Sequence, residues 1–273
     1  KIFGTKFTTI ISGDDAHKWE RGDKNWEKYT ALDPSSNDLH MNVDHLQSLK
    51  SEDPILRRVY DHNTGKFTAP QEIQSNKFLI FEGLHSFYIG STRNLCDIKL
   101  FIDTPEDLRK HWKIQRDMKE RGYSKEKVLE SLKKREKDSK KYIPPQKEFC
   151  DIIVSLHPLN KINNLGYEEN IKLILKINVD NSLDISQFIK NFNEIPGLKI
   201  SQINNVDLKT QNLIFSGSIS SQNIAESVNK IIPNYEDIIL NDDIQWEENY
   251  NGIIQLFILF YLSYKLRRDN SHG

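Results

Sequence analysis

Asp14, His17 and Arg21 form the first group of side chains whose types and spacing could do chemistry. They come directly after the β-branched run Phe7-Thr-Thr-Ile-Ile11. A carboxylate can take a proton from a hydroxyl, and an imidazole and a guanidinium can bind phosphate oxygens. Because ligands of open α/β sheets bind at the carboxyl ends of the strands, this position favours a substrate site. The alternative is an aspartate that caps a helix, with surface cations beside it.

Glu82 ends a second candidate segment, the compact apolar run Phe78-Leu-Ile-Phe81. Such a run is typical of a buried strand that delivers one carboxylate to the edge of a sheet. Phosphoryl-transfer enzymes use a carboxylate at this position to hold or orient Mg²⁺. Many strands end in glutamate, so this segment alone does not assign a metal site.

Four charged residues make a third group on one predicted helix. Lys113, Arg116 and Asp117 lie within a turn of one another, and Arg121 lies near the helix end. A run of this kind is by default a solvated face. Apolar neighbours of Arg116 could instead turn its side chain toward a cleft.

Arg135 lies in a basic segment that stops at Tyr142-Ile-Pro-Pro-Gln146. The prolines end the helix that the segment predicts. An arginine in such a helix is by itself most often a surface residue. Arg135 therefore has a role only if other features assign one.

The elements that must position these residues alternate between strands and helices, which predicts a parallel α/β sheet. The predicted helix over Met41–Lys50 places Val43, Leu46 and Leu49 on one face. The predicted strands in this part are Phe7–Ile11, Phe78–Phe81, Ile98–Ile102 and Asp151–Leu156, and further helices run from Thr104 to Arg121 and from Ser124 to Lys141.

The composition changes after Asn160 to Asn, Ile and Ser with little charge. We therefore expect a core at residues 1–160 and a C-terminal α/β extension at 161–273. Predicted strands of the extension are Ile171–Val179, Leu198–Ile203 and Asn212–Ser216, and predicted helices are Asp184–Phe192, Ser221–Ile232 and Gly252–Lys265.

Charge and composition exclude several classes of protein. The chain has 273 residues, is 37% hydrophobic and 28% charged, and has a net charge of −1. It can bury a core, and no global charge attracts it to nucleic acid or an anionic membrane. Residues 1–150 carry a net charge of +4 and residues 151–273 a net charge of −5. An anionic ligand is therefore expected in the first part.

Cysteine use and the absence of a secretory leader favour a cytoplasmic location. Cys96 and Cys150 are isolated and form neither a disulfide framework nor a CxxC site. The apolar run Ile253–Leu262 is too short to cross a bilayer and predicts a buried terminal helix.

In chain order, the segments GDDAH, YDH, FEGLH, WKIQRDMKERGYS and YIPPQ resemble the phosphoribulokinase/uridine kinase family. TALDPSSNDL, VYDHNTGKFTAP and FEGLHSF are similar to the plant and cyanobacterial phosphoribulokinase type. The resemblance covers about residues 7–156 and is fainter in the terminal helix. It implies a P-loop nucleotide-kinase-like fold with a mostly parallel sheet flanked by helices and a C-terminal α+β extension.

The same resemblance implies roles for the candidate residues. Asp14 matches the catalytic base, and His17 and Arg21 match residues that hold the sugar phosphate. Tyr60 and His62 fall in the segment that binds the acceptor. Glu82 matches the acid that closes the Walker B strand near the metal. Lys113 and Arg116 match catalytic basic residues that meet the transferring phosphoryl group and the substrate, and Asp117 matches a second essential acid there. Arg121 matches a further basic, substrate-binding residue of the same helix, and Arg135 matches the lid over the nucleotide.

Three departures from the family pattern stand out. The sequence contains no GxxxxGK[ST] motif, so we expect the first strand and the phosphate-binding loop upstream of Lys1. Ser12 replaces the regulatory cysteine of the plant type, which argues against thiol switching. Pro144 stands where the family has an aspartate.

The expected activity is the ATP- and Mg²⁺-dependent phosphorylation of a sugar phosphate, with D-ribulose 5-phosphate giving the 1,5-bisphosphate. The alternatives are a kinase for uridine or another sugar, and a binding or regulatory protein that has lost its phosphate-binding loop. The expected partners are ATP, the sugar phosphate and a second copy of the chain in a homodimer, without nucleic acid or membrane.

Overall fold

A computed structural model of the chain describes residues 2–167, 171–206, 208–240 and 244–270. The described residues form two compact units. The N-terminal unit contains Thr5–Lys99 and Leu129–Phe149, and the C-terminal unit contains Leu100–Val128, the chain from Cys150 onward and the few residues before Thr5. These units interleave segments from either side of residue 160, so the division by composition at that residue stays a prediction.

The N-terminal unit is built on a parallel pair of strands. Its strands are β1 (Thr8–Ser12), β2 (Ile55–Arg57), β3 (Tyr60–Asp61), β4 (Lys66–Phe67), β5 (Gln71–Ile73) and β6 (Phe78–Glu82). β1 pairs with β6 in parallel, with Ser12 opposite Glu82, so the predicted strands Phe7–Ile11 and Phe78–Phe81 are neighbours in one sheet. β2 with β5 and β3 with β4 form small antiparallel pairs.

Three helices of this unit precede or follow these strands along the chain, and Leu49 of the second packs with Ile11 of β1. The helices are α1 (Asn25–Lys28), α2 (Leu39–Lys50) and α3 (Gly90–Leu95). The Asp38 carboxylate caps α2 by accepting a hydrogen bond from the Met41 N–H. α2 buries Val43, Leu46 and Leu49, the face that the spacing predicts.

Helices α4 (Glu106–Lys119) and α5 (Lys125–Tyr142) follow along the chain. α4 begins directly after Pro105, close to the predicted start. α4 and the first turn of α5 belong to the C-terminal unit, and the rest of α5 belongs to the N-terminal unit. That part of α5 is tied to the segment after α1, because Thr30 donates a hydrogen bond to Asp138 at 2.7 Å.

The C-terminal unit contains a mixed five-stranded sheet. Its strands are β7 (Leu100–Ile102), β8 (Ile152–Pro158), β9 (Leu173–Asp180), β10 (Leu198–Asn204) and β11 (Thr210–Gly217), in the spatial order β10-β11-β9-β8-β7. β7 and β8 are parallel, whereas β9, β11 and β10 add antiparallel neighbours. The pairings of β1 with β6 and of β7 with β8 are parallel, as expected for the core. The strands beyond residue 160 pair antiparallel, in keeping with the implied α+β extension, so the five-stranded sheet as a whole is mixed.

Aromatic side chains form the core of this unit. Phe188 stacks on Phe192 with ring centroids 4.6 Å apart, and Phe215 and Phe257 meet Phe188 edge-on. The remaining helices are α6 (Ser186–Asn193), α7 (Ser221–Ile231), α8 (Tyr235–Ile238) and α9 (Asn249–Asn270). α9 is the expected buried terminal helix. None of the helices in the described ranges is long and apolar enough to cross a membrane.

Candidate active site

Asp14 lies in a single 3-10 turn, Gly13–Ala16, at the carboxyl end of β1. Ser12 caps this turn, because its hydroxyl oxygen accepts a hydrogen bond from the Asp14 N–H at 3.4 Å. The Asp14 side chain keeps 33% of its surface exposed. A carboxylate held on a short turn and open to solvent can reach a bound substrate.

Glu82 lies beside this turn because two glycines allow close contact between neighbouring strand ends. A Cβ on Gly13 would lie 3.1 Å from the Glu82 carbonyl oxygen, and a Cβ on Gly83 would lie 2.9 Å from the Gly13 Cα. Any larger residue would push the ends of β1 and β6 apart. The Glu82 side chain is exposed at the end of β6.

Two imidazoles face the Asp14 carboxylate. His62 Nε2 lies 3.2 Å from one carboxylate oxygen, and His17 Nε2 lies 3.9 Å from the other. His62 is half exposed and His17 is buried. The structure therefore brings together three of the predicted residues around one carboxylate.

A buried amide selects the tautomer of a neutral His17. Asn37 donates from its NH₂ group to the carbonyl oxygens of Ala31 and Asp33, so its Oδ1 faces the His17 ring. His17 Nδ1 lies 2.7 Å from that oxygen and must be the donor. The free nitrogen of a neutral His17 is consequently Nε2, the atom that faces Asp14.

Tyr60 connects the two imidazoles. Its ring meets the rings of His17 and His62 edge-on, with centroids 5.2 and 5.1 Å away, and also meets Phe67. Burial raises the pKa of the Tyr60 hydroxyl, and the positive charge of Arg21 opposes this shift. The Tyr60 phenol therefore stays neutral and available as a hydrogen-bond donor.

Arg21 holds the hairpin that carries His62. Its guanidinium donates to the carbonyl oxygens of His62 at 2.5 Å and Asn63 at 3.2 Å. Gly65 is required here, because a Cβ on it would lie 2.4 Å from the Arg21 Cβ. A guanidinium has five N–H groups, so these two contacts leave donors for a phosphate.

A buried ion pair that the sequence did not reveal supports this arrangement. Arg57 is 1% exposed and donates from Nε to Asp15 at 3.2 Å, from a terminal nitrogen to the Ser12 carbonyl at 2.6 Å, and to Asn42 at 2.9 Å. Asp15 also accepts from the Tyr60 N–H at 2.7 Å. The Arg57–Asp15 pair thus joins the Asp14 turn to the Tyr60 hairpin.

The sequence contains only a weak signal for this pair. Arg57 interrupts the apolar segment that begins at Ile55, and a charge in such a segment is buried only when it is paired. Burial lowers the pKa of Arg57, and Asp15 opposes the shift. Nothing in the sequence spacing connects Arg57 to Asp15, which lies far away along the chain.

The second cluster of predicted residues lies in the C-terminal unit, on α4 and just after it. Asp117 is 3% exposed and accepts from Lys113 Nζ at 2.6 Å and from Arg116 at 2.9 and 3.0 Å. Arg121 lies 3.3 Å away. Burial acts to raise the pKa of Asp117, but the hydrogen bonds from Lys113 and Arg116 outweigh it and lower the pKa. One buried carboxylate therefore aligns three cations.

Each unit thus brings together its own part of the predicted site: Asp14, His17, Arg21, Tyr60, His62 and Glu82 in one, and Lys113, Arg116, Asp117 and Arg121 in the other. Arg135 lies half-buried on the part of α5 that belongs to the N-terminal unit. Its role in binding nucleotide stays a prediction.

The fit of a magnesium ion depends on Glu82. The described residues contain no group of three or more His, Cys, Asp and Glu side chains that could hold a metal ion. Mg²⁺ bound together with nucleotide phosphates needs only one or two protein carboxylates. The exposed carboxylate of Glu82 fits this kind of site and not an all-protein metal cage.

Known proteins are similar to this chain in sequence and in fold. Phosphoribulokinase from Synechocystis sp. is 36% identical over 163 residues, which are 60% of this chain and 49% of that protein. Chloroplastic phosphoribulokinase from Spinacia oleracea is 38% identical over 155 residues, which are 57% of this chain and 39% of that protein. The matched segment thus spans about half, or less, of the length of these relatives.

A solved structure extends the likeness to the fold. Phosphoribulokinase from Rhodobacter spheroides matches with a TM-score of 0.64 and 21% sequence identity, covering 85% of this chain and 87% of that chain. The α/β architecture is therefore similar in both units. The sequence pattern of the Phosphoribulokinase / Uridine kinase family matches residues 3–163, more than half of the chain, and the chain belongs to that family.

Proposed function

We propose that this protein is an ATP-dependent kinase that converts D-ribulose 5-phosphate to ribulose 1,5-bisphosphate. The observation that carries the proposal is the Asp14 carboxylate, exposed at the carboxyl end of β1 and faced by two imidazoles. Membership of a kinase family and relatives named phosphoribulokinase support it.

In this proposal Asp14 is the general base. The acceptor hydroxyl gives its proton to the Asp14 carboxylate while its oxygen attacks the γ-phosphorus of ATP, the bond from that phosphorus to the β–γ bridging oxygen breaks, and ADP leaves. A positioned carboxylate serves in this way only within hydrogen-bond reach of the hydroxyl. The 3-10 turn provides this position, because the Ser12 cap and the bonds to Asp15 hold it.

The proposed reaction requires cations at two places, the transferred phosphoryl group and the acceptor's own phosphate. Phosphoryl transfer spreads negative charge over the transferred oxygens, and fixed cations stabilise that charge. Lys113, Arg116 and Arg121 supply cations for it, with Asp117 as the residue that orients them. Arg21 and His17 bind the acceptor's own phosphate.

The nucleotide requires parts that the 273 residues do not contain, since they include no GxxxxGK[ST] motif. The proposal therefore requires a phosphate-binding loop outside them. Glu82 would hold a magnesium ion bound to the ATP phosphates, and that ion would neutralise charge on the β- and γ-phosphate oxygens. Arg135 would close over the nucleotide.

Uridine is the second candidate acceptor, and the aromatic rings near His17 favour it. Trp26 lies 5.7 Å and Tyr60 5.2 Å from the His17 ring, so a base could stack there. However, Trp26 also meets Trp19 edge-on, and Trp19 stacks on Tyr29, which is packing within the protein. A dianionic acceptor accounts better for Arg21 and His17.

The test compares acceptors directly, with protein that carries a phosphate-binding loop in addition to these 273 residues. Ribulose 5-phosphate and uridine are supplied at equal concentration with ATP and Mg²⁺, and ADP release is followed. We expect kcat/KM for ribulose 5-phosphate to exceed that for uridine by at least about 100-fold. Equal rates of ADP release with the two acceptors would contradict the proposal and indicate a uridine kinase. Sugar-phosphate binding without ADP release would make the protein a binding protein.

A further inference from the structure

His85 is buried next to Asp14 without a hydrogen-bond partner. Its side chain is 8% exposed, and neither ring nitrogen has a partner among the described residues. Buried polar atoms in folded proteins nearly always have a partner, since an unmet bond costs free energy. A buried imidazole without hydrogen-bond partners indicates that a ligand or a water molecule supplies the missing hydrogen bonds.

The cleft beside His85 is the one that Asp14 lines. Besides Asp14 and His85, its lining includes the amides of Asn37 and Asn42, and both amide oxygens are already used, by His17 and by Arg57. Asp14 is the carboxylate of this lining, and His85 is its side chain whose two ring nitrogens both lack a partner among the described residues.

The loop that carries His85 is rigidly held. Buried Gln146 accepts from the Phe87 N–H at 2.9 Å and donates to the Leu84 carbonyl at 2.9 Å, on either side of His85. Ser86 also donates to the Gly83 carbonyl. The loop is therefore fixed on both sides of an imidazole that has no bond of its own, as expected for a preorganised binding group.

The chemistry of the ring selects the kind of group that binds. Burial lowers the pKa of His85, and the Ala31 carbonyl, which lies nearby without making a hydrogen bond of ordinary geometry, opposes the shift. A neutral imidazole offers one donor and one acceptor. That pair suits a hydroxyl or a carbonyl oxygen, whereas a phosphate dianion would require cations.

We propose that His85 binds an oxygen of the acceptor's carbon chain, next to the hydroxyl that gives its proton to Asp14. This inference rests on the proposed function and adds a specificity-determining residue to it. His85 distinguishes acceptors by their hydroxyl and carbonyl groups, and the cations distinguish them by their phosphate.

Two substitutions separate binding from packing. His85→Phe keeps a ring of similar shape and removes both nitrogens, and His85→Gln keeps a donor and an acceptor on a flexible chain. The control is His40→Phe, an exposed histidine on α2 outside the cleft lining. If His85 only packs, Phe should serve as well as His, since it removes an unmet polar group.

The measurements are calorimetric titration with ribulose 5-phosphate, the KM for each substrate, and the thermal midpoint of each variant. We expect His85→Phe to weaken acceptor binding about 10-fold or more, with the KM for ATP and the thermal midpoint little changed. His85→Gln should recover part of the affinity, and His40→Phe should match the wild type. Unchanged acceptor affinity in His85→Phe would overturn the inference and leave a buried water as the partner.

A direct signal covers the case in which His85→Phe does not fold. The imidazole ¹⁵N resonances of His85 in the wild type should shift on titration with ribulose 5-phosphate, and those of His40 should not. No shift at saturating ligand would refute the inference. If the wild type binds uridine and not the sugar phosphate, with a loss in His85→Gln, the proposed function fails and this inference stands. Binding of neither ligand overturns both.

Discussion

Asp14 and Asp15 are the same residue type in adjacent positions, yet their surroundings assign them opposite tasks. Asp15 is 7% exposed, and its two oxygens are bound by Arg57 and the Tyr60 N–H. Asp14 is 33% exposed and is faced by imidazoles. The residue pattern identifies the pair, but only the fold separates the structural carboxylate from the one available for chemistry.

Replacing each aspartate tests this assignment. We expect Asp14→Asn to lower turnover by roughly 10²–10⁴-fold, the usual effect of removing a general base, and to leave the thermal midpoint unchanged. Asp15→Asn, as the matched control, should lower the thermal midpoint because buried Arg57 loses its partner. A loss of acceptor binding with normal turnover in Asp14→Asn would make Asp14 a positioning residue instead.

Arg21→Ala should raise the apparent KM for ribulose 5-phosphate by roughly 10-fold or more, since a charged hydrogen bond to phosphate is lost. The KM for ATP should change little, because the lost contact involves the acceptor. Arg58 provides the control: it is exposed just before β3 and lies over the Phe67 ring. Equal rises in both KM values would argue against the phosphate contact.

At the scale of elements, α4 shows how burial changes the meaning of a charged run. The spacing predicts that Lys113, Arg116 and Asp117 are neighbours, and the structure confirms this. The sequence alone favoured a solvated face, whereas Asp117 is 3% exposed. Its buried carboxylate holds the cations in place, a role that helical periodicity cannot predict.

The stability that Asp117 contributes should depend on pH. The pKa of Asp117 is lower in the folded protein than in the unfolded chain, because Lys113 and Arg116 outweigh the effect of burial. Its contribution is therefore complete above the unfolded pKa of about 3.9 and is lost as the pH falls through the lower folded pKa. Asp117→Asn should reduce the free energy of unfolding by about 1–3 kcal/mol at pH 7.

Urea unfolding of both proteins between pH 7 and pH 2.5 measures this difference. The gap between wild type and Asp117→Asn should close in acid, and exposed Glu120→Gln at the end of the same helix should change little. A gap that stays constant down to the lowest pH would contradict the ionised Asp117.

Arg57 joins β2 to the Asp14 turn, so its removal should affect the whole N-terminal unit. We expect Arg57→Met to cost about 3–5 kcal/mol of unfolding free energy, since Asp15 is left buried without its partner. The double variant Arg57→Met/Asp15→Asn should lose less than the sum of the single changes. Additive losses in a urea-unfolding cycle would show that the two side chains are not coupled.

At the scale of the whole molecule, the length and the periodicity of a segment determine whether its secondary structure can be predicted from the sequence. Long apolar or periodic runs predicted β1, β6, β8, α2 and α9 with small errors at their ends. The two- and three-residue strands β2 to β5 were not predicted, because such short segments have no period. Contacts such as Arg57 with Asp15 join distant segments, and spacing contains no information about them.

The aromatic core should determine the stability of the C-terminal unit. Phe188 is fully buried and meets Phe192, Phe215 and Phe257. Phe188→Ala should cost about 3–5 kcal/mol through lost contacts and a cavity. Hydrogen exchange of the β9 and β11 amides should quicken accordingly, whereas exposed Ile203→Ala on β10 should leave it nearly unchanged. Unaltered protection in Phe188→Ala would place the core elsewhere.

The interleaving of the two units also determines when the cleft beside Asp14 can be completed during synthesis. Asp14 and His85 leave the ribosome early, but Gln146, whose amide holds the loop around His85, comes only after Leu100–Val128 of the other unit. Chains fold progressively as they emerge. The loop around His85 therefore remains without its clamp until Gln146 has emerged, so a nascent chain that ends before Gln146 should be more exposed to proteases in this loop.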